Sequence, residues 1–112
     1  MKSFDVLRMP AYGYDQREKN VFHASRGFKL RVIRLAPGES QPECRMASHV
    51  VLVCLEGGVT LEVNGERASL SPGQVLVTEP ALLRMESEPS EASYASGETG
   101  ARLLGVQIAE DK

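Results

Sequence analysis

The sequence predicts a single all-β domain. Its 10 Gly and 6 Pro residues fall between short apolar runs, and such punctuation is typical of strands joined by turns. Within several runs, apolar and polar residues alternate, as they do in half-buried strands. One dipeptide, Asn64-Gly65, lies between two alternating runs and predicts a two-residue hairpin, because both turn positions need positive φ.

Length and composition limit the class of protein. With 112 residues the chain is long enough for one compact domain, and it has no internal repeat. The formal net charge is −2, so no basic excess predicts nucleic-acid binding. No apolar run reaches the roughly 18 residues of a membrane span, and the first residues lack a signal peptide's apolar core. We expect a cytoplasmic protein that binds neither nucleic acid nor membrane.

The first part of the chain is predicted as an N-terminal extension, residues 1–27, made of loop and edge strand. The main β domain follows over residues 28–109 and opens with a strand over residues 28–35. Lys29 and Arg31 lie on one face of that strand. The other face is apolar and carries Phe28, Leu30 and Val32.

A turn over residues 36–39 precedes a strand over residues 49–55 that is apolar at both parities. Its outer face must then be covered by the N-terminal extension or by another subunit. Two registers are open for its inner face. Either Val50, Leu52 and Cys54 point inward and His49 outward, or His49, Val51 and Val53 point inward.

The hairpin at Asn64-Gly65 also predicts its own register. Folding about this turn sets apolar residues opposite each other on one face and Glu62 opposite Arg67 on the other. The expected pairs are Val59 with Leu70, Thr60 with Ser69, Leu61 with Ala68, and Glu62 with Arg67.

The rest of the chain continues the pattern of short strands. A turn over residues 71–74 leads into a strand over 75–78, which Glu79-Pro80 ends. Further strands are predicted over 82–86 and 101–109. The intervening segment, 87–100, is rich in Ser and Glu and is predicted as a flexible loop within the domain.

The arrangement of turns resembles the cupin family, small β-barrels that usually hold a metal through a His-x-His pair, a carboxylate and a later His. Pro37-Gly38, Gly57-Gly58, Pro72-Gly73 and the hairpin occupy the places where small cupins have their turns. The resemblance covers about residues 28–109. It implies a single cupin-type jelly-roll β-barrel and a homodimer.

The resemblance also shows that the ligand positions of the metal are changed. The family's first motif, G-x5-H-x-H-x3,4-E-x6-G, starts at Gly38 and puts Cys44 and Met46 at the two histidines. It puts Val50 at the carboxylate if Gly57 is the closing glycine and Val51 if Gly58 is. The match with Gly57 is favoured, and it implies that Val50, Leu52 and Cys54 point inward and His49 outward. The second motif puts Arg84 at the last histidine. Valine cannot bind a metal and arginine stays protonated, so we expect no metal and no other cofactor.

Arg84 is the most suggestive of these replacements. At the family's last His position it is expected to point into the barrel, where a buried guanidinium needs a partner. Glu86 can be that partner, or a ligand's carboxylate or phosphate can pair with it. A third interpretation is that Arg84 extends to the barrel mouth with its stem packed inside. The predicted ligand-binding pocket is lined by Cys44, Met46, Leu52, Cys54 and Arg84.

The two cysteines leave further alternatives. A Cys44–Cys54 disulfide is possible, but reduced thiols are expected in the cytosol. Cys44, Met46 and His49 are a candidate set for Cu(I), although Cys and Met also pack well in apolar interiors. Tyr12 and Tyr14 are interpreted as surface packing residues, with capping of a pocket as the alternative.

Three functions follow from these observations. The leading hypothesis is a small-molecule binding or sensing protein that holds an anionic group in the barrel. The second is a structural or interaction protein whose barrel is filled by its own side chains. The third is an enzyme, an isomerase or a thiol-dependent catalyst with Cys44 as its nucleophile.

Overall fold

Antiparallel strands in two sheets make up most of the computed structural model, which describes residues 1–87 and 100–108. A 3₁₀ helix, Tyr14–Asn20, precedes the strands. The described strands are β1 Val21–Ala24, β2 Phe28–Leu35, β3 Ser40–Met46, β4 His49–Glu56, β5 Val59–Val63, β6 Glu66–Leu70, β7 Val75–Thr78, β8 Ala81–Ser87 and β9 Ala101–Ile108. The predicted all-β fold is confirmed. Most of the predicted loop over 87–100 lies outside the described residues.

The two sheets place their apolar faces against each other. The first sheet has the order β1-β2-β9-β4-β7 and the second the order β3-β8-β5-β6. Residues of both sheets form one hydrophobic core, in which Leu35 and Leu103 of the first sheet and Leu61 of the second are fully buried. Such burial is the main stabilising contribution to a small β domain.

The hairpin at Asn64-Gly65 forms as predicted. β5 pairs with β6 in the expected register, with Val59 opposite Leu70 and Glu62 opposite Arg67. Asn64 and Gly65 have φ values of 51° and 87°, which the two-residue turn requires. The Asn64 side chain also accepts a hydrogen bond of 3.0 Å from the amide of Leu82, so it fastens the turn to β8.

The favoured register of β4 is confirmed. Val50, Leu52 and Cys54 are 2%, 1% and 0% exposed and point into the core, whereas His49 is exposed on the opposite side of the strand. The outward side chains of β4, such as Val53, are half-buried. β4 therefore has an apolar outer face as well as a buried inner one.

The outer face of the first sheet is covered at one end and exposed at the other. At one end, Arg102 donates hydrogen bonds of 3.1 Å to the carbonyls of Val6 and Met9, which hold the N-terminal segment on the sheet. At the other side of the sheet, Val75 and Val77 of β7 remain 53% and 69% exposed. The N-terminal segment thus covers only part of this face. Among the described residues, no helix is long and apolar enough to cross a membrane.

Candidate ligand-binding site

A cavity of about 110 Å³ lies between the sheets. Strands of both sheets contribute to its wall, and the 3₁₀ helix with the residues before it forms its mouth. Most of the wall is apolar, and its larger members are Ile33, Met46, Val50, Leu52, Leu83 and Met85. A concave apolar site with a few polar groups is the usual form of a small-molecule site.

Arg31 is the cationic side chain inside this cavity. It lies on the inner face of β2, opposite Gly105 of β9. Its Nε is buried and has no hydrogen-bond partner among the described residues. Burial lowers the pKa of Arg31, the nearby charge of Arg17 lowers it further, and the thiolate form of Cys44 opposes both effects. The protonated guanidinium therefore occupies an environment that does not compensate its charge.

A second guanidinium stands at the mouth of the cavity. Arg17 lies over the ring of Tyr14, with its Cζ 3.9 Å from the ring centroid, and donates a hydrogen bond of 2.9 Å to the Tyr14 carbonyl. Both contacts hold the side chain in place. The described residues that line the cavity include Arg17 and Arg31 and no Asp or Glu. The charged side chains of this lining are therefore all cationic.

Asn20 fixes the mouth of the cavity. Its side chain accepts a hydrogen bond of 2.7 Å from the amide of Tyr12 and donates one of 2.8 Å to the carbonyl of the same residue. Asn20 is 4% exposed, so both bonds are shielded from water. Tyr12 and Tyr14 both line the cavity, which favours the alternative interpretation, capping of a pocket, over surface packing.

Three of the five residues expected in the pocket line this cavity. Cys44 and Met46 of β3 face Leu52 of β4 across it, and Cys44 is exposed. Cys54 does not line the cavity, because it is fully buried in the core. Its thiol donates weak hydrogen bonds of 3.7 Å and 3.5 Å to the carbonyls of Glu56 and Gly57. Neither cysteine is in a disulfide.

The expectation that Arg84 points into the barrel is wrong. In β8 the apolar residues Leu83 and Met85 take the inner face, so Arg84 projects outward. There its Nη1 lies 3.9 Å from the carboxylate of Glu62, and 40% of its side chain is exposed. Glu86, its expected internal partner, is exposed as well. A guanidinium on this face keeps its hydration, whereas the inner face would bury it among apolar side chains.

The sequence pattern assigns Arg31 to the wrong face and does not identify Arg17, Asn20 or Gln107 as residues of the site. Alternation in β2 assigns Phe28, Leu30 and Val32 to one face and leaves Arg31 on the polar one. The polar face is the inner one, because Ile33 and Leu35 share it and pack in the core. Val32 is nevertheless 1% exposed on the other face. The available signal was that Ile33 and Leu35, which share the parity of Arg31, are apolar, whereas Arg34 on the other face is charged.

The residues at the family's metal-ligand positions do not fit a metal ion. Cys44 and Met46 reach the cavity, but Val50 offers no donor atom and Arg84 lies outside. His49, the third member of the alternative Cu(I) set, does not line the cavity. Within residues 1–87 and 100–108, no group of three or more His, Cys, Asp or Glu side chains is placed to hold a metal.

Comparisons with known proteins agree with the architecture. No family model and no curated protein matches the sequence. Among solved structures, a protein from Thermus thermophilus is 24% identical, with a TM-score of 0.73 over 99% of this chain and 100% of that one. A cupin superfamily protein from Desulfitobacterium hafniense is 14% identical, with a TM-score of 0.66 over 80% and 74%.

A third structure carries a more explicit description of its fold. It is an RmlC-like cupin family protein from Methanocaldococcus jannaschii with a double-stranded β-helix fold. It is 14% identical to this chain, with a TM-score of 0.65 over 80% of this chain and 76% of that one. At such identities the likeness extends to the fold alone. The chain therefore has the cupin jelly-roll fold.

Proposed function

We propose that this protein binds or senses a small organic anion in its cavity without a metal ion, and that Arg31 holds the charge of the ligand. The observation that carries the proposal is the guanidinium of Arg31, whose buried Nε lacks a partner among the described residues in a mostly apolar cavity. Buried polar groups are paired in nearly all proteins, and an unpaired one marks a place where a ligand can supply the partner. A carboxylate is the natural complement of a guanidinium.

The size of the cavity supports binding over the alternative of a filled barrel. About 110 Å³ is somewhat less than the roughly 150 Å³ of an engineered cavity that takes up benzene. It is also well below the ~300–1,000 Å³ of sites for drug-sized ligands. The proposed ligand is therefore a short anion whose apolar part contacts side chains such as Leu52 and Met85.

The electrostatics of the site support the metal-free part of the proposal. A divalent cation placed in the cavity would be repelled by Arg31 and Arg17, and no carboxylate among the described lining residues would offset that repulsion. Elemental analysis of the purified protein tests this point. Stoichiometric zinc, iron, manganese or nickel would contradict it.

Cytoplasmic location and dimerisation complete the proposal. The two cysteines are thiols, one of them exposed, which suits a reducing compartment.

The outer face of β4 and β7 carries half-buried and exposed valines, and apolar patches of this kind commonly mark protein interfaces. We propose a second copy of the chain as its partner, because a row of like apolar side chains is self-complementary about a two-fold axis.

Placing a charge on this face is expected to dissociate the dimer. Val77 is 69% exposed, so Val77→Lys costs the monomer little but puts an ammonium group into the proposed interface. Light scattering should give twice the chain mass of 12.2 kDa for the wild type and the single mass for the variant. Ser69→Lys on exposed β6 is the control and should remain dimeric. A wild-type protein at the single mass would contradict the dimer.

The anion proposal is tested with propanoate and its neutral isostere propanamide. Isothermal titration and thermal unfolding are measured with each compound at millimolar concentration. Propanoate is expected to bind with a Kd of about 1 mM or below. A Kd of 1 mM corresponds to a binding free energy of about −4.1 kcal/mol. It should raise the unfolding temperature, because a ligand that binds only the folded chain stabilises it. Equal binding of the amide would contradict the assignment of an anion site.

A further inference from the structure

The cavity contains two unpaired polar atoms of opposite hydrogen-bonding character. Nε of Arg31 and Oε1 of Gln107 are the buried side-chain polar atoms of the described residues that lack a hydrogen-bond partner. Both residues line the cavity. The Nε–H group can only donate, whereas Oε1 can only accept. A ligand that satisfies both must offer an acceptor and a donor.

The strand register places these two residues side by side. Arg31 of β2 lies opposite Gly105 of β9, and Gln107 lies two residues further along β9 on the same face. Diagonal neighbours of this kind are about 7–8 Å apart at the backbone, within reach of long side chains. Gly105 has no side chain, and a Cβ there would lie 3.3 Å from Cγ of Arg31 and from Cδ1 of Ile33. The glycine thus leaves room for the arginine side chain on the sheet.

We propose that the cavity selects a short hydroxy carboxylate. Its carboxylate accepts hydrogen bonds from Arg31, and a hydroxyl group on the neighbouring carbon donates to Oε1 of Gln107. The inference rests on the proposed function, whose anion it specifies. A cavity of about 110 Å³ limits the acid to three or four carbons, with its alkyl part against the apolar wall.

The hydroxyl group distinguishes this ligand from similar acids. An acid without a hydroxyl group leaves Oε1 of Gln107 unpaired, and a keto acid places a second acceptor against it. Sites built to bond a hydroxyl discriminate strongly against analogues that lack it. We expect the hydroxy acid to bind about 10-fold more tightly than either analogue, the loss expected for one unsatisfied buried acceptor.

The test compares lactate, propanoate and pyruvate by isothermal titration. For the wild type, lactate should bind about 10-fold more tightly than the other two. In Gln107→Met, which removes the acceptor at similar volume, the preference should fall to about twofold or less while propanoate still binds. Gln74→Met is the matched control, because Gln74 is exposed in the turn before β7 and does not line the cavity, and it should keep the preference.

The possible outcomes distinguish this inference from the proposed function on which it rests. Equal affinities for lactate and propanoate in the wild type would contradict the selection of a hydroxy acid but not the anion site. A preference that persists in Gln107→Met would also overturn it. Failure of all three acids to bind would contradict the anion site itself. If Gln107→Met does not fold, Gln107→Glu replaces it; its charge should weaken all three acids, and unchanged affinities would overturn the inference.

Discussion

Replacing Arg31 by methionine is expected to weaken propanoate binding by about 10- to 100-fold. Hydrogen bonds to charged groups contribute about 1.5–3 kcal/mol, and Arg31 lines the cavity with a buried Nε that has no partner among the described residues. Methionine keeps much of the length of the side chain and removes its charge. Isothermal titration measures the change.

Arg84→Met is the matched control for this substitution. Arg84 is the arginine that the motif count assigns to the pocket, but its partner is Glu62 on the outer face of the second sheet. The ion pair is exposed and contributes little to stability. We expect propanoate affinity within about twofold of the wild type. A large loss of propanoate affinity in Arg84→Met and none in Arg31→Met would show that Arg84 holds the anion, as the motif count predicts.

The same Arg31→Met substitution is expected to stabilise the unliganded protein. A base whose pKa is lowered on folding binds its proton less tightly in the folded chain than in the unfolded one. Protonated Arg31 therefore destabilises the folded chain at neutral pH, and methionine removes that cost. We expect a gain of about 0.5–2 kcal/mol in the free energy of unfolding by urea titration, as for other functional residues held under strain. A loss would assign Arg31 a structural role.

Gly57→Ala is expected to have the largest effect on stability. Gly57 has φ +73°, and a Cβ there would overlap the carbonyl oxygen of Gly100. The obstacle is backbone, so the strand that follows Gly100 would have to move. The left-handed conformation alone costs a non-glycine residue about 1–2 kcal/mol. With the clash added, we expect a loss of about 3 kcal/mol or more, a large share of the ~5–15 kcal/mol of a domain.

Gly38→Ala separates the two causes. Gly38 has a similar φ of +75°, but nothing among the described residues lies within 4 Å of the position of a Cβ. Its alanine variant is destabilised by the left-handed conformation. The lower entropy of the unfolded chain offsets part of that destabilisation. We expect a loss of about 1 kcal/mol in the free energy of unfolding. Equal losses of unfolding free energy in both variants would show that the close approach of Gly57 to Gly100 adds nothing to the conformational cost.

The hairpin was predictable from local chemistry, and the inner face of β4 was predictable from the resemblance to the cupin family. Asn64-Gly65 can form its turn whatever surrounds it, and the turn then determines the pairing of Glu62 with Arg67. In β4 the correct register followed from matching Gly57 to the family's closing glycine. The hairpin signal is contained in a few consecutive residues, so tertiary contacts rarely overrule it.

The polar residues of the cavity could not be located in the same way. Counting along a motif put Arg84 inside, but the inner face of β8 belongs to Leu83 and Met85. Alternation in β2 put Arg31 on a solvated face, but that face turns toward the core. A motif count that is off by one residue reverses the side of the sheet, because side chains alternate strictly along a strand.

Residue type and short-range spacing were enough to predict the all-β class, the turns and the replacement of the family's metal-ligating residues. Which arginine lies inside the cavity depends on tertiary contacts. Arg31 enters the cavity because β2 and β9 pair with Gly105 beside it and because the N-terminal segment with Tyr12 and Asn20 closes over the mouth. These neighbours are more than ten residues away along the chain, and burial of a charge depends on them rather than on the residues next to it.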